Sequence, residues 1–454
     1  MKSLIRSRAA LSVCAAAALL SGCGAQAIPY MQNGGLLQTL SGTGAGKIKH
    51  IVYIVQENRS FDNLFQGYPG ANTVSEGEIS TGKKVKLVPV GLAAWYVLDH
   101  SAQAMFLDCN APKDDLPGTH CRMNGFNKEQ TINAPKDVKY PEYVYVPHAE
   151  SAPYFAMARQ GALADNMFQS QLDESFIAHQ YVIAAQANWG VDLPIGPWGC
   201  SSSGGGSVST ITKERTIGPE ESACFDYTTL GDELDKAKLS WRFYAATYGS
   251  ASSDGGAYWS GYQAVKHIYD GPDWKKDVIS PNWKFITDVR SGYLANFTWI
   301  TPECDDSDHV NCPDGYGPSW VSALVNTVGK SKFWDSTVIF IQWDDWGGLY
   351  DHVPPPYKDR DSLGFRVPLV MLSPYAISGH VSKAQYETAS VLRFAEDLWG
   401  LKQMAAADRR ATSPAQDNFN FNQQPNKFVF VKAPLPPKFF MHNRSANYFA
   451  PDYE

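Results

Sequence analysis

Short apolar blocks recur along the chain, and each stops abruptly at polar or acidic residues. The run 48–55 (Ile-Lys-His-Ile-Val-Tyr-Ile-Val) ends at Gln56-Glu57-Asn58, and 336–343 (Ser-Thr-Val-Ile-Phe-Ile-Gln-Trp) ends at Asp344-Asp345. Runs of this length, rich in β-branched and aromatic residues, predict buried strands. Further strands are predicted over 162–168, 240–245, 296–301 and 367–372. Helical spacing of apolar positions fills 152–160, 177–188, 227–238, 320–328 and 388–399. Strand and helix alternate, which predicts an α/β fold with a largely parallel, helix-flanked sheet. In such sheets, sites are built at the C-terminal ends of strands, where Glu57-Asn58 and Asp344-Asp345 fall.

Two stretches break the rhythm. Residues 69–147 and 246–293 are rich in Gly, Pro, Asp and Tyr and are read as insertions forming a cap within one body spanning 48–454. The tail from Arg409, rich in Pro, Asn and Phe, is expected to drape over that body. The Cys-Ser-Ser-Ser-Gly-Gly-Gly stretch from Cys200 has no Gly-Lys-Ser/Thr and so is not a phosphate loop. At the start, Lys2, Arg6 and Arg8 precede an apolar stretch through Leu20, the pattern of a signal peptide over 1–22. Leu20-Ser21-Gly22-Cys23 resembles a bacterial lipobox, so Cys23 is the expected lipidation site and 23–47, rich in Gly, Gln and Ser, a flexible tether. Gly24 after that Cys points to the outer membrane, facing the periplasm or the cell surface.

Composition narrows the function classes. Of 454 residues, 44% are hydrophobic and 19% charged, which supplies a large core and argues against disorder. The formal charge is −7, with no basic block beyond the N-terminus, so nucleic acid is a poor partner. No apolar run of spanning length follows the N-terminal segment, which excludes a polytopic membrane protein. Beyond Cys14 and Cys23, the cysteines fall into three local pairs, Cys109/Cys121, Cys200/Cys224 and Cys304/Cys312. In an oxidising compartment, sequential disulfides are the simplest reading, and no Cys-x-x-Cys spacing favours a metal.

The chemistry gathers at the two acidic strand ends. Adjacent carboxylates repel unless a cation offsets them, and carboxylate and amide oxygens suit Mg, Ca or Mn, with Zn possible. A solvated surface turn is the competing reading of Asp-Asp-Trp-Gly-Gly.

Family resemblance adds to these readings. Glu57-Asn58-Arg59-Ser60-Phe61-Asp62 resembles the opening signature of the bacterial phosphoesterase family, which holds phospholipases C and acid phosphatases. The stretch from Trp343-Asp344-Asp345-Trp346-Gly347-Gly348 to Pro354-Pro355-Pro356 resembles its second signature. Asp165-Asn166-Met167-Phe168 and Asp173-Glu174-Ser175-Phe176-Ile177-Ala178-His179 resemble the segment between them. The resemblance implies a three-layer α/β/α sandwich like that of alkaline phosphatase, with cap insertions. It implies Glu57, Asn58, Asp344 and Asp345 as metal ligands and Ser175 as nucleophile, touching the metal as well. Around Ser175 the chain departs from the phospholipase C form, Gly-Pro-Thr/Ser-x-Pro-Asn, which bears on the substrate class. From the residues alone, Ser175 is also in helix N-cap context.

Among ten histidines, His100 and His309 resemble the family's substrate-contacting pair, and each is a candidate proton donor to the leaving oxygen. His179 shares a helix face with Ser175 and is a further catalytic candidate. His352 is a substrate-binding candidate, with a structural role beside Pro354–Pro356 as its rival. His50, His148, His267, His380 and His442 are read as surface residues. Trp241, Phe243, Tyr244, Tyr258, Trp259 and Tyr262 fit a core better than a choline cage. The expected function is an exported metal-dependent phosphoric-ester hydrolase passing through a phosphoseryl intermediate, acid-phosphatase-like, with phospholipase C as the alternative. A non-catalytic phosphoester-binding lipoprotein is the alternative of another class. A sulfatase-like enzyme ranks lowest, because Ser175 lacks the Cys/Ser-x-Pro-x-Arg context.

Overall fold

A computed structural model describes residues 42–195, 199–200, 206–246, 259–312 and 314–442. The predicted signal peptide, Cys23, most of the tether and Tyr258 lie outside the described residues. The central sheet has eight strands: β1 (His50–Gln56), β2 (Ala162–Phe168), β3 (Trp241–Tyr244), β4 (Val278–Ile279), β5 (Phe297–Ile300), β6 (Thr337–Trp343), β7 (Leu369–Leu372) and β8 (His380–Glu387). Their spatial order is β4-β3-β5-β1-β6-β7-β2-β8. All pairings are parallel except the two made by β7, with β6 and β2. Its reversal has a simple cause. Parallel neighbours need a crossover, usually helical, whereas no helix lies between β6 and β7, so the chain returns from the edge where β6 ended.

The helices that matter here are α1 (Phe61–Phe65), α2 (Ala102–Cys109), α3 (His148–Gln160), α4 (Ser175–Ala184), α5 (Leu230–Lys236), α6 (Lys284–Ser291), α7 (Gly317–Gly329) and α8 (Ala389–Trp399). They cover both faces of the sheet. On β1, Tyr53 is in register with Trp299 and Gln56 with Trp343, positions of opposite parity. Trp299 donates its indole N–H to the Val182 carbonyl of α4 at 3.1 Å. Trp343 meets Tyr154 of α3 edge-on, with ring centroids 4.8 Å apart. The two tryptophans therefore point to opposite faces, and the α/β/α sandwich is the observed architecture.

The predicted strands and helices are present, with two differences in sequence assignment. Within 246–293, edge strand β4 joins the sheet and helix α6 buries Phe285, Ile286 and Val289 in the main core. Strand β8 is unpredicted; its polar sequence and register shift beside β2 hide the alternation that marks a strand. Residues 69–147 add no strand to the central sheet. Their short two-stranded pieces and α2 enclose a second apolar cluster around Met105, Phe126 and Tyr143, which packs on Trp346, Tyr350 and Phe365. Trp241, Phe243, Tyr244 and Tyr262 lie in the main core with Trp299, as the core reading expects, whereas Trp259 is buried apart from it, with Cys304 and Cys312, its ring 6.2 Å from that of His309. The three disulfides join Cys109–Cys121, Cys200–Cys224 and Cys304–Cys312. The tail crosses α7, where Val431 and Asn326 exchange two hydrogen bonds. No helix among the described residues is long and apolar enough to cross a membrane.

Candidate active site

Strands β1 and β6 run parallel with Gln56 opposite Trp343, so the residues that follow each strand emerge side by side. Asp344 donates its N–H to the Gln56 carbonyl at 3.0 Å, and Asn58 donates its N–H to Asp344 Oδ1 at 2.9 Å. Asn58 turns the chain with a left-handed backbone, φ 50°. The second turn is fixed by Asp345, whose Oδ1 accepts the Gly347 N–H at 2.8 Å. Gly347 has φ +62°, and a Cβ there would sit 2.7 Å from the Asn58 carbonyl oxygen, so the close approach of the two loops requires glycine.

Ser175 is the first residue of α4; Glu174 occupies the N-cap position that the sequence assigns to Ser175. The α4 N-terminus aims at the two loops. Ser175 Oγ lies 3.3 Å from each of Glu57 Oε2, Asn58 Oδ1 and Asp345 Oδ2. One turn along, His179 Nε2 lies 3.0 Å from Glu57 Oε1 and 3.7 Å from Asp344 Oδ2. All six residues are fully buried. A hydroxyl has one proton and can serve only one of three acceptors. Asp344 Oδ2 accepts no hydrogen bond from the described residues. An excess of buried oxygens of this kind fits a divalent cation. Glu57, Asn58, Asp344, Asp345 and Ser175 are the residues that would hold it. His179 joins them: with Glu57 and Asp344 it brings three ligand atoms within 4.8 Å of one another. Its spacing from Ser175 was the signal in the sequence, although there it suggested only a catalytic role.

His100 and His309 flank this cluster. His100 Nδ1 bonds the Leu98 carbonyl at 2.9 Å, which leaves Nε2 to accept from the Asn58 amide at 2.8 Å, with Asp345 Oδ2 4.0 Å away. The two imidazole rings lie 6.1 Å apart, centroid to centroid. His309 is set by its neighbour Asp308, a residue the sequence does not single out. The Asp308 N–H donates to Gln56 Oε1 at 3.0 Å, and its carbonyl accepts from Arg59 Nε at 2.6 Å. Its carboxylate Oδ2 accepts from the Tyr154 hydroxyl at 2.6 Å and the Trp343 indole at 2.9 Å. Burial pushes the Asp308 carboxyl up to about 6, although Tyr154 and Arg59 work the other way. Gln56 and Arg59 thus tie the first signature to His309 across some 250 residues of chain.

His352 is not among the residues these contacts bring together. Its Nδ1 meets Asp62 Oδ2 at 2.5 Å and its Nε2 meets Asn72 Oδ1 at 3.1 Å. Asp62, Asp351 and His352 form a second close group, but it already has its cation: Arg366 contacts both oxygens of Asp351 and lies 3.5 Å from Asp62. Burial disfavours the charged His352 ring, yet Asp62 and Asp351 outweigh this and raise its pKa. The structural reading of His352 accounts for every one of these contacts.

Residues 48–402 match the Phosphoesterase family, and the chain belongs to it. It is a hydrolase acting on phosphoric ester bonds. It is similar to phospholipase C A of Mycobacterium tuberculosis, 24% identical over 428 residues, covering 84% of this chain and 78% of that protein. It is also 24% identical to non-specific phospholipase C1 of Arabidopsis thaliana, covering 86% of this chain and 75% of that one. Against the non-hemolytic phospholipase C of Burkholderia pseudomallei, identity is 23% and the chain spans 55% of the relative's length. Among solved structures, an alkaline phosphatase superfamily protein from Vibrio parahaemolyticus aligns over 80% of this chain and 69% of its own, with 12% identity and a TM-score of 0.37.

Proposed function

We propose that this chain is a metal-dependent phosphodiesterase of the phospholipase C kind, with Ser175 as nucleophile. The observation that carries the reading is Ser175 Oγ, on the first turn of α4, 3.3 Å from three ligand-type oxygens on two other loops. A helix N-terminus favours the anionic phosphoryl group at that point. A divalent ion bound by these residues would neutralise phosphoryl charge and make the serine hydroxyl more acidic. Ser175 Oγ gives its proton to a facing carboxylate, Glu57 or Asp345, and forms its bond to phosphorus in line as the bond to the leaving alcohol breaks. His309 supplies the proton that the leaving oxygen takes up, while His100, whose Nε2 accepts from Asn58, holds that amide in place; water then cleaves the phosphoseryl ester, which still carries the headgroup alcohol when the substrate is a diester. The sequence favours an acid-phosphatase-like specificity. The phospholipase C relatives support the diester instead, while the complete burial of Ser175 keeps a small monoester as the second reading.

Turnover of p-nitrophenylphosphorylcholine and p-nitrophenyl phosphate by the full chain, each with and without chelator, separates the two. We expect chelator-sensitive cleavage, faster on the choline diester. Cleavage of the monoester alone would establish the phosphatase, and no turnover by metal-loaded protein would favour a non-catalytic phosphoester-binding protein. The same reading includes export and lipid attachment at Cys23. The three disulfides support an oxidising compartment. Intact mass of protein purified from envelopes is expected to show cleavage before Cys23 and added acyl chains. An unmodified N-terminus would remove the anchor from the proposal.

A further inference from the structure

A cleft of about 1100 Å³ opens beside the C-terminal half of α4, the end remote from Ser175. Trp189, Lys213, Tyr357, Lys358, Arg360 and Arg409 line it. Its walls are firmly built. Arg215 is buried, and its guanidinium donates to the carbonyls of Pro117, Gly118, Asp359, Arg360 and Ser362. One side chain therefore locks the turn carrying Lys213 to the loop carrying Tyr357, Lys358 and Arg360. Tyr181 of α4 anchors the same loop by donating to Asp361 at 2.6 Å.

The charge in the cleft is unbalanced. Lys213, Lys358 and Arg409 are exposed and Arg360 is half-buried, and none of the four forms an ion pair among the described residues. The acids of the lining are engaged: Asp359 by Arg410 and Ser362, Asp361 by Tyr181. Arg410 is itself shared with Glu387. Exposed Glu214 adjoins Lys213 in sequence but does not line the cleft. A local cationic excess therefore stands on a chain whose formal charge is −7.

Apolar surface accompanies the cations. Trp189 and Tyr357 are each about half exposed, at 50% and 49%, and Ile217 is 40% exposed. Arg360 lies over the Trp189 ring at 3.6 Å. Trp189 has φ 64°, a backbone conformation costly for a bulky residue, and its exposure returns little burial energy to the fold. Ile217 pairs with Ile211, whose N–H bonds the Trp189 carbonyl, so this apolar edge is continuous with the cleft. Cations interleaved with exposed Trp, Tyr and Ile suit a water–lipid interface, where aromatic rings sit among headgroups and Lys/Arg meet lipid phosphates. A soluble polyanion would use the cations alone.

We propose that this face docks the protein on an anionic phospholipid bilayer. The inference does not rest on the hydrolytic reading, since docking is measured by binding. The test is co-sedimentation of the mature chain, produced without residues 1–22 and carrying Cys23→Ser, with vesicles of phosphatidylcholine alone or mixed with phosphatidylglycerol. The parent should bind the anionic vesicles preferentially. Lys213→Glu with Arg360→Glu should weaken that binding by roughly 30-fold or more, from about a kcal/mol for each cation lost at an anionic surface. Trp189→Gly, which relieves the strained backbone, should weaken it too without lowering the melting temperature. Turnover of the soluble chromogenic diester should be unchanged in both variants. Equal binding by parent and variants, indifference to phosphatidylglycerol, or capture of heparin in place of vesicles would overturn the proposal.

Discussion

Ser175→Ala is expected to reduce kcat by roughly a thousandfold or more, with the melting temperature nearly unchanged. The stability side follows from how little is removed. Only one hydroxyl is lost from a buried position whose backbone is already helical, and Ala is the better helix former. Loss of one hydrogen bond costs about 1 kcal/mol, and a bound cation would still satisfy the three facing oxygens. The activity side follows from position: Ser175 brings its hydroxyl to the meeting point of Glu57, Asn58 and Asp345, and Ala leaves nothing there to attack phosphorus. A serine that merely helped hold a cation would behave differently, because excess metal would restore turnover to the Ala variant. Acid quenching during turnover adds a second check: the parent should carry the phosphoryl group on Ser175, as phosphorylcholine from the choline diester and as phosphate from the monoester, located by mass spectrometry of its peptide. Metal rescue of the variant, or a parent with neither adduct on Ser175 under fast quench, would end the nucleophile assignment.

How much of the fold and site is legible in the sequence depends on the range of the interaction involved. The apolar runs of β1 and β6 and the acids that end them are local patterns, so the candidate ligands can be named from the chain alone. Ser175 is reachable only through the resemblance, since nothing in its own neighbourhood separates a nucleophile from a helix cap. Contacts spanning hundreds of residues leave no periodicity. Arg59 holding Asp308, and Arg366 reaching Asp62, are invisible in the sequence for that reason. The same cause explains His352, which lies in a signature-like segment but is drawn to Asp62, 290 residues away. Strand β8 escapes notice because one of its edges is open, and exposed positions need not be apolar.

Asp344→Asn combined with Asp345→Asn is expected to abolish metal-dependent turnover and, less obviously, to make stability indifferent to chelator. In the parent, Glu57, Asp344 and Asp345 are buried together around one serine hydroxyl and one imidazole. The Asn58 N–H on Asp344, the Gly347 N–H on Asp345 and the His179 ring at Glu57 offset part of that charge, but the two backbone donors are neutral. Stripping a bound cation should therefore leave the parent with unrelieved repulsion, and its melting point should fall by several degrees on dialysis against chelator. Mass action alone supplies about 2.7 kcal/mol when metal stands at a hundred times its Kd. Amidation removes two charges at nearly constant volume. The double variant should then melt at or above the temperature of the metal-free parent, with or without chelator, and elute without bound metal. If the acids were only a solvated turn, the order would reverse: the parent would ignore the chelator, and the variant would lose stability because its amide oxygens make weaker caps for the Asn58 and Gly347 N–H groups. Scanning calorimetry of the four samples, with metal content measured on each, distinguishes the two orders, because only a bound cation reverses the ranking of parent and variant when it is withdrawn.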